Sequence, residues 1–346
     1  MSDPTEGYVL HAYGAERYVQ HAVASVVTLR RHDAHRPIAL YCTKEQRDAL
    51  RKHGLDTLFE RVVELPVENR SIVGFKHAIY KFKPYDRSLY VDADMVWCRN
   101  PDALWQQMAA FPFTATGLER ADFFFGGPKG FSVAFDFLFD RRRSTMRAFG
   151  LSHLPRVQAG MIYAQDDEVT RLVCESASSF LDRQTETHFR SRLNEGRNEE
   201  TCEWSIAMAM SRLRLPVFTW FQGYNSPQLD FIEGLTQYDP DFEHVLCRYY
   251  CDRFVYSLRG LRIPSIRDRI IRMASALPGR GDYLDVTPYV MHFGWLLHKQ
   301  PFFDFSDRVW KRLTSATLSG DGAGREPIVL PSELDAQVRE AALSAR

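Results

Sequence analysis

The hydrophobic positions of the first hundred residues alternate between two rhythms. GYVLHA (Gly7 to Ala12) is a short apolar run ending in polar residues, the pattern of a buried strand. Ala22, Val23, Val26 and Val27 then recur at helical spacing, and PIALYC (Pro37 to Cys42) returns to strand. Thr43 with Gln46 forms a capping-box pattern that opens the next helix, and Gly54 stands where that helix would stop. RVVEL (Arg61 to Leu65), a helical stretch around Ile72 to Phe82, and SLYV (Ser88 to Val91) continue the alternation. Strands separated by helices predict an α/β fold with a mostly parallel central sheet covered on both faces. Ligands of such sheets bind beyond the carboxyl ends of the strands.

The middle of the chain is less regular. It holds the aromatic-rich FPFTATGLERADFFFGGP, a strand-like VQAGMIY (Val157 to Tyr163), and helices near Glu168 to Leu181 and Glu200 to Ser211. Asp230 to Asp285 reads as an insertion or small subdomain, and SGDGAG (Ser319 to Gly324) as a flexible link to a terminal helix after Pro331. The expected division is a nucleotide-binding and catalytic domain over 1–230, an extension over 231–310, and a linker with a terminal helix over 311–346.

Composition narrows the class of partner. The 346 residues carry 44 Lys and Arg against 44 Asp and Glu, so a whole-surface electrostatic hold on nucleic acid is not expected. MSDPTEGYVLHAYG lacks a basic segment followed by a long apolar core, and no apolar run approaches the roughly 18 residues that span a bilayer. The expectation is a cytoplasmic chain whose six scattered cysteines are reduced. Cys247, Cys251 and His244 lie close in sequence, but three ligands without a fourth make a poor structural zinc site.

The most informative segment is KPYDRSLYVDADMVW, where a hydrophobic strand runs straight into Asp92-Ala93-Asp94. Two carboxylates one residue apart, just past a strand's carboxyl end, can share one divalent cation that neutralises a diphosphate. Taken alone the pair is also compatible with a helix cap and a surface acid.

In its wider context, KHAIYKFKPYDRSLYVDAD resembles the retaining glycosyltransferases of family eight, the group containing glycogenin and bacterial lipo-oligosaccharide galactosyltransferases. The resemblance implies a GT-A fold, a nucleotide-sugar donor (a UDP-sugar in most members), and Mn²⁺ (or Mg²⁺) held by the Asp-x-Asp pair and a distant histidine. It continues in collinear order. GYVLHAYGAERY is similar to the opening strand and nucleotide loop, with Ala12 and Tyr13 facing the base and Tyr18 at the place of the tyrosine that stacks on uracil. Lys76 matches the lysine that contacts the donor. QAGMIY resembles the family's Asn-Ser/Ala-Gly strand, with Gln158 in place of asparagine. TCEWSIAMAM resembles its Asp-Gln helix, with Cys202 and Glu203 in those two places. LPVFTWFQGYN brings Asn225 toward the site. MHFGWLLHKQPF is similar to the C-terminal histidine motif, implying His292 as third metal ligand and Lys299 as a phosphate contact.

Three departures from the family pattern stand out. Cys202 replaces the usual aspartate, Lys299 lies one position further from His292 than usual, which makes His298 a rival, and the span from Asn225 to His292 is long. Glu203, where the family often has glutamine, is either the group beneath the sugar's anomeric carbon or a helix-surface glutamate. The segment RGLRIPSIRDRIIRMASALPGR sets Ile263, Ile266, Ile270, Ala274 and Leu277 on one helical face, with Arg262, Arg269 and Arg272 off it. Such a helix either lies on anionic membrane or packs on the core with a solvated basic face.

The reading that follows is a metal-dependent glycosyltransferase acting on a nucleotide sugar. Its acceptor would be a glycan, a lipid-linked glycan or a protein. The rivals are a haloacid-dehalogenase-type phosphohydrolase, whose Asp-x-Asp also follows a strand, and a non-catalytic nucleotide-sugar-binding module.

Overall fold

The structure is a computed structural model that describes residues 5–121, 125–126, 132–249, 261, 263–276, 284–294 and 298–318. The terminal helix expected after Pro331, together with Cys251, Arg262 and Leu277, lies outside the described residues.

The chain opens with β1 (Glu6–His11), α1 (Arg17–Arg30), β2 (Ile38–Cys42), α2 (Lys44–Lys52) and β3 (Arg61–Glu64). Thr43 caps α2 through the expected reciprocal bonds with Gln46, and Gly54 takes the left-handed conformation (φ 66°) just past its end. The helical stretch expected over 72–82 is broken in two. Helix α3 (Ile72–Lys76) stops at His77, and a single 3-10 turn, Ile79–Phe82, follows. There the Tyr90 hydroxyl lies within hydrogen-bonding distance of the carbonyls of Ile79 and Phe82, buried acceptors that the short turn does not satisfy itself.

Next come β4 (Arg87–Val91), β5 (Met95–Trp97), α4 (Asp102–Met108), β6 (Phe113–Leu118), α5 (Ser132–Leu138), α6 (Arg141–Ala148), β7 (Arg156–Ala164), α7 (Asp167–Asp182) and α8 (Glu203–Arg212). The last part holds β8 (Phe218–Thr219), β9 (Gln228–Asp230), β10 (Thr236–Tyr238), β11 (Val245–Tyr249), α9 (Pro264–Ser275), β12 (Leu284–Val286), β13 (Val290–His292) and α10 (Gln300–Leu318).

The main sheet has strand order β3-β2-β1-β4-β7-β6-β8. Only β7 runs against its neighbours, so the sheet is mostly parallel as the sequence pattern predicts. Both faces are buried. Tyr8, Leu10, Leu89, Val91, Met161 and Tyr163 pack on the side of α1 and α10. The intervening Val9, Tyr90, Ile162 and Ala164 pack on the side of α3, α7 and α8. That two-faced burial explains why these strands read as continuous apolar runs. β6, FTATGL, escaped the sequence reading for the opposite reason: it is buried throughout yet built from small and hydroxylated residues with no alternation.

Two small sheets complete the frame. One is β10-β11-β12; the other is β5-β13-β9, in which β13 runs antiparallel to β5 and parallel to β9. Helix α9 forms over part of the basic amphipathic segment, but its inward face is not the one the isoleucine spacing implies. Ile263 and Ile266 are exposed, whereas Arg267 and Ile271 are buried. The Arg267 guanidinium donates to the Glu233 carbonyl and closes on Gly234, where a side chain would collide with it, so an arginine rather than an isoleucine turns inward.

Candidate metal and nucleotide site

Strand order fixes where a crevice opens. The chain winds outward from β1 through β2 to β3, then returns to the other side of β1 as β4. The carboxyl ends of β1 and β4 therefore flank a topological switch point, the position at which open α/β sheets bind ligands. Ala12 and Tyr13 follow β1, and Asp92 to Asp94 follow β4.

The turn Asp92-Ala93-Asp94 is tied at both ends. The Asp92 amide donates to the Gly160 carbonyl on β7 at 2.9 Å, and the Asp94 carbonyl accepts from the Phe293 amide at 3.0 Å. β13 delivers the distant histidine, with His292 in register with Met95 on one side and Asp230 on the other. One ligand atom from each of Asp92, Asp94 and His292 lies within 4.8 Å of the others. Two carboxylates and an imidazole are a fitting donor set for a divalent transition metal.

The imidazole is oriented through its Nδ1 nitrogen. Its Nδ1 lies 2.7 Å from Asp230 Oδ1 and 2.9 Å from Gln158 Nε2, and only the carboxylate can accept a proton there. Nδ1–H therefore donates to Asp230, which leaves Nε2 toward Asp94 Oδ1 at 3.5 Å. Gln158 Oε1 in turn accepts from the Gly160 amide and from Gln228. Gly294 leaves the ring its room, since a Cβ there would sit 2.4 Å from His292 Cε1. Burial opposes charge on His292, but the hydrogen bonds to Asp230 and Asp94 outweigh it and raise the pKa to about 10. Burial likewise opposes ionisation of Asp94, yet His292 and Lys299 hold its carboxyl well below the usual range.

Each carboxylate of the acidic pair meets its own lysine. Lys76, buried, reaches Asp92 Oδ1 and the Ala159 carbonyl, each at 2.7 Å. Burial works against its charge, but the Asp92 carboxylate more than compensates and its pKa is raised. Lys299 Nζ lies 2.5 Å from Asp94 Oδ2, while the rival His298 lies 3.8 Å from Glu233. Of the two candidates after β13, the lysine is the one at the cluster.

Glu203 begins α8. Its side chain is half-buried, and burial raises its pKa against the charges of Arg156 and Lys76, with Asp230 adding to the rise. Cys202 beside it is buried, and desolvation pushes its thiol up to about 12.

On the β1 side, Tyr13 stacks on His11 and donates its hydroxyl to Glu199 at 2.6 Å. Tyr18 stands at the start of α1 with its ring 40% exposed and Arg17 over one face. Asn225 is exposed in the turn before β9, and the residue of that stretch that enters the cluster is Asp230. Asp230, Glu199 and Arg156 carried no sequence signal. Asp230 gains its place only through the pairing of β9 with β13, across 62 residues of chain.

No family model matches this sequence, and no curated protein matches it. Solved structures do resemble the chain in shape. It is similar to the galactosyltransferase LgtC in complex with donor and acceptor sugar analogues, at 13% identity over 96% of this chain and 99% of that one, with a TM-score of 0.47. It is also similar to mouse xyloside xylosyltransferase 1 (14% identity, 65% and 88% covered, TM-score 0.43). A third likeness is to the bifunctional glycosyltransferase WbbM (11% identity, 91% and 52% covered, TM-score 0.48). At this distance the likeness concerns the course of the chain, and the chemistry rests on the residues described above.

Proposed function

We infer that this protein is a metal-dependent glycosyltransferase that takes a sugar from a nucleotide-diphosphate donor, a UDP-sugar, and transfers it with retention. The observation that carries this reading is the convergence of Asp92, Asp94 and His292 at the switch point of the sheet, with Lys76 and Lys299 against the two carboxylates. Asp92, Asp94 and His292 would hold Mn²⁺ or Mg²⁺, which supplies Lewis-acid stabilisation of a departing diphosphate.

The chain's own residues provide the rest. Lys76 and Lys299 each sit against one carboxylate of the pair, and a bound diphosphate would draw them from carboxylate to phosphate. Gln158 on β7 lies against the histidine and holds its own place by accepting from the Gly160 amide and from Gln228. Ala12, Tyr13 and Tyr18 would receive the base, and the exposed Tyr18 ring is free to stack. Glu203, half-buried at the start of α8, would face the anomeric carbon as nucleophile or electrostatic support. Asn225 would border the donor. A glycan, lipid-linked or protein acceptor fits this reading, as does peripheral contact of α9 with anionic membrane through the exposed Arg269 and Arg272.

A screen of UDP-, GDP- and ADP-sugars for thermal stabilisation and donor hydrolysis, with and without Mn²⁺, tests this reading. Metal-dependent stabilisation by UDP-sugars is expected, and Tyr18→Ala should remove roughly 1–3 kcal/mol of base stacking. Equal response to every diphosphate, or full turnover in EDTA, would overturn it. A non-catalytic binding module is the second reading, favoured by Cys202, whose neutral buried thiol cannot do the work of a carboxylate. Donor binding without hydrolysis or transfer would select it.

A further inference from the structure

Helix α5 reverses the usual order of a soluble helix. Phe135, Phe137, Leu138 and Phe139 are 60%, 64%, 71% and 68% exposed, whereas the charged Asp136 among them is only 3% exposed. Phe135 and Phe139 lie one helical turn apart with near-parallel rings, centroids 6.4 Å apart, so they form one apolar surface rather than two scattered side chains. Contiguous large apolar groups of this kind mark a contact surface, unlike single exposed residues.

The charges beside the patch say what kind of contact. Directly after Phe139 the chain turns at Asp140, in the left-handed conformation, and enters α6 with Arg141, Arg142 and Arg143, followed one turn later by Arg147. Arg141 pairs with the buried Asp136 at 3.2 Å, and Arg143 with Asp140 at 3.4 Å. Four arginines against two aspartates leave this helical hairpin with excess positive charge. Arg141, Arg143 and Arg147 are all exposed. A protein interface sets aromatic residues within a charge-poor core. Exposed aromatic and leucine side chains, with arginines a few residues away in sequence, instead match the layered chemistry of an anionic bilayer: phosphate headgroups outside, acyl chains beneath.

We propose that the α5–α6 hairpin is a membrane-docking element, in which Phe135, Leu138 and Phe139 enter the headgroup–acyl boundary of an anionic bilayer and Arg143 and Arg147 bind lipid phosphates. This element is a different stretch of chain from α9, and the proposal does not depend on the sugar-transfer reading.

The test uses the full chain and vesicles of phosphatidylcholine with or without phosphatidylglycerol. The wild type should co-sediment with the anionic vesicles at low salt. The combined Phe135→Ser, Leu138→Ser, Phe139→Ser variant should lose at least roughly tenfold in partition coefficient, and Arg143→Glu with Arg147→Glu should do the same. Because all five side chains are exposed, folding should survive, and circular dichroism checks that. A Phe139→Trp reporter should shift its emission to the blue on vesicle addition and be quenched by brominated lipid, which electrostatic adsorption alone would not cause. The proposal is overturned by an absence of vesicle binding at low salt, or by undiminished binding of the triple-serine variant. It is equally overturned if binding is lost only in Arg269→Ser with Arg272→Ser. A wild-type dimer in light scattering that the triple-serine change dissolves would assign the patch to a second copy of the chain instead.

Discussion

Asp230 accepts a 2.7 Å hydrogen bond from Nδ1 of His292, and this one contact decides which face of the imidazole meets the acidic pair. Outer carboxylates of this type fix both the tautomer and the ring plane of a ligating histidine. Asp230→Asn keeps the shape but permits the opposite tautomer. Mn²⁺ affinity, read by electron paramagnetic resonance of the free ion, should fall by about 10–100-fold, with an unchanged circular-dichroism spectrum. Unaltered affinity would mean that the residue only fills space.

The Lys76–Asp92 pair predicts a mutual dependence of stability and metal. Removing the ammonium with Lys76→Met leaves the Asp92 carboxylate facing a buried, uncompensated position. Urea unfolding without metal should show a loss of about 1–3 kcal/mol. Saturating Mn²⁺ should restore part of that loss, because a bound cation replaces the missing charge. A deficit indifferent to Mn²⁺ would separate Lys76 from the site.

Glu203 offers a test of mechanism. Glu203→Gln preserves size and hydrogen bonding while removing charge. An essential nucleophile should cost at least ~10³-fold in turnover, about 4 kcal/mol of barrier, with donor affinity little changed. A loss nearer ~10-fold would mark electrostatic support. Wild-type turnover in Glu203→Ala would exclude the residue altogether.

Two buried histidines away from the acidic pair predict acid lability. His77 bonds Ser205 at 2.9 Å and His188 bonds Thr145 at 2.9 Å. Burial lowers the pKa of each to about 4, with Arg141 and Arg142 adding to the effect at His188. The unfolded chain takes up protons near the ordinary histidine value of about 6.5, the folded chain only near 4, so stability falls as pH drops through that window and then levels off. Urea midpoints should fall between pH 7 and pH 4.5, and the slope should flatten in a His77→Gln, His188→Gln double variant. A wild-type midpoint that stays constant over that range would contradict the assignment.

Much of the frame was legible because its causes are local. The apolar runs of β1, β2 and β4 need both sheet faces buried, and the Thr43–Gln46 cap is written within four residues. Asp92 and Asp94 announce themselves by following a strand. What escaped depends on contacts across the chain: the break at His77, the inward turn of Arg267 and the arrival of Asp230 beside His292. The hairpin at Phe135 to Arg147 was passed over because its apolar residues do not point inward, so core periodicity had nothing to register.

The order in which these parts leave the ribosome has a consequence of its own. Lys299 meets Asp94 across 205 residues of chain, and His292 arrives on the strand just before it, so the acidic pair is synthesised long before these two partners. Until β13 slots between β5 and β9, Asp92 and Asp94 are two carboxylates on an unfinished surface, without an imidazole or Lys299 beside them. Any chain cut short before that strand would lack the third of these side chains. The assembled trio of side chains is thereby a report on completion: it comes together only when nearly all of the described chain has been made and folded.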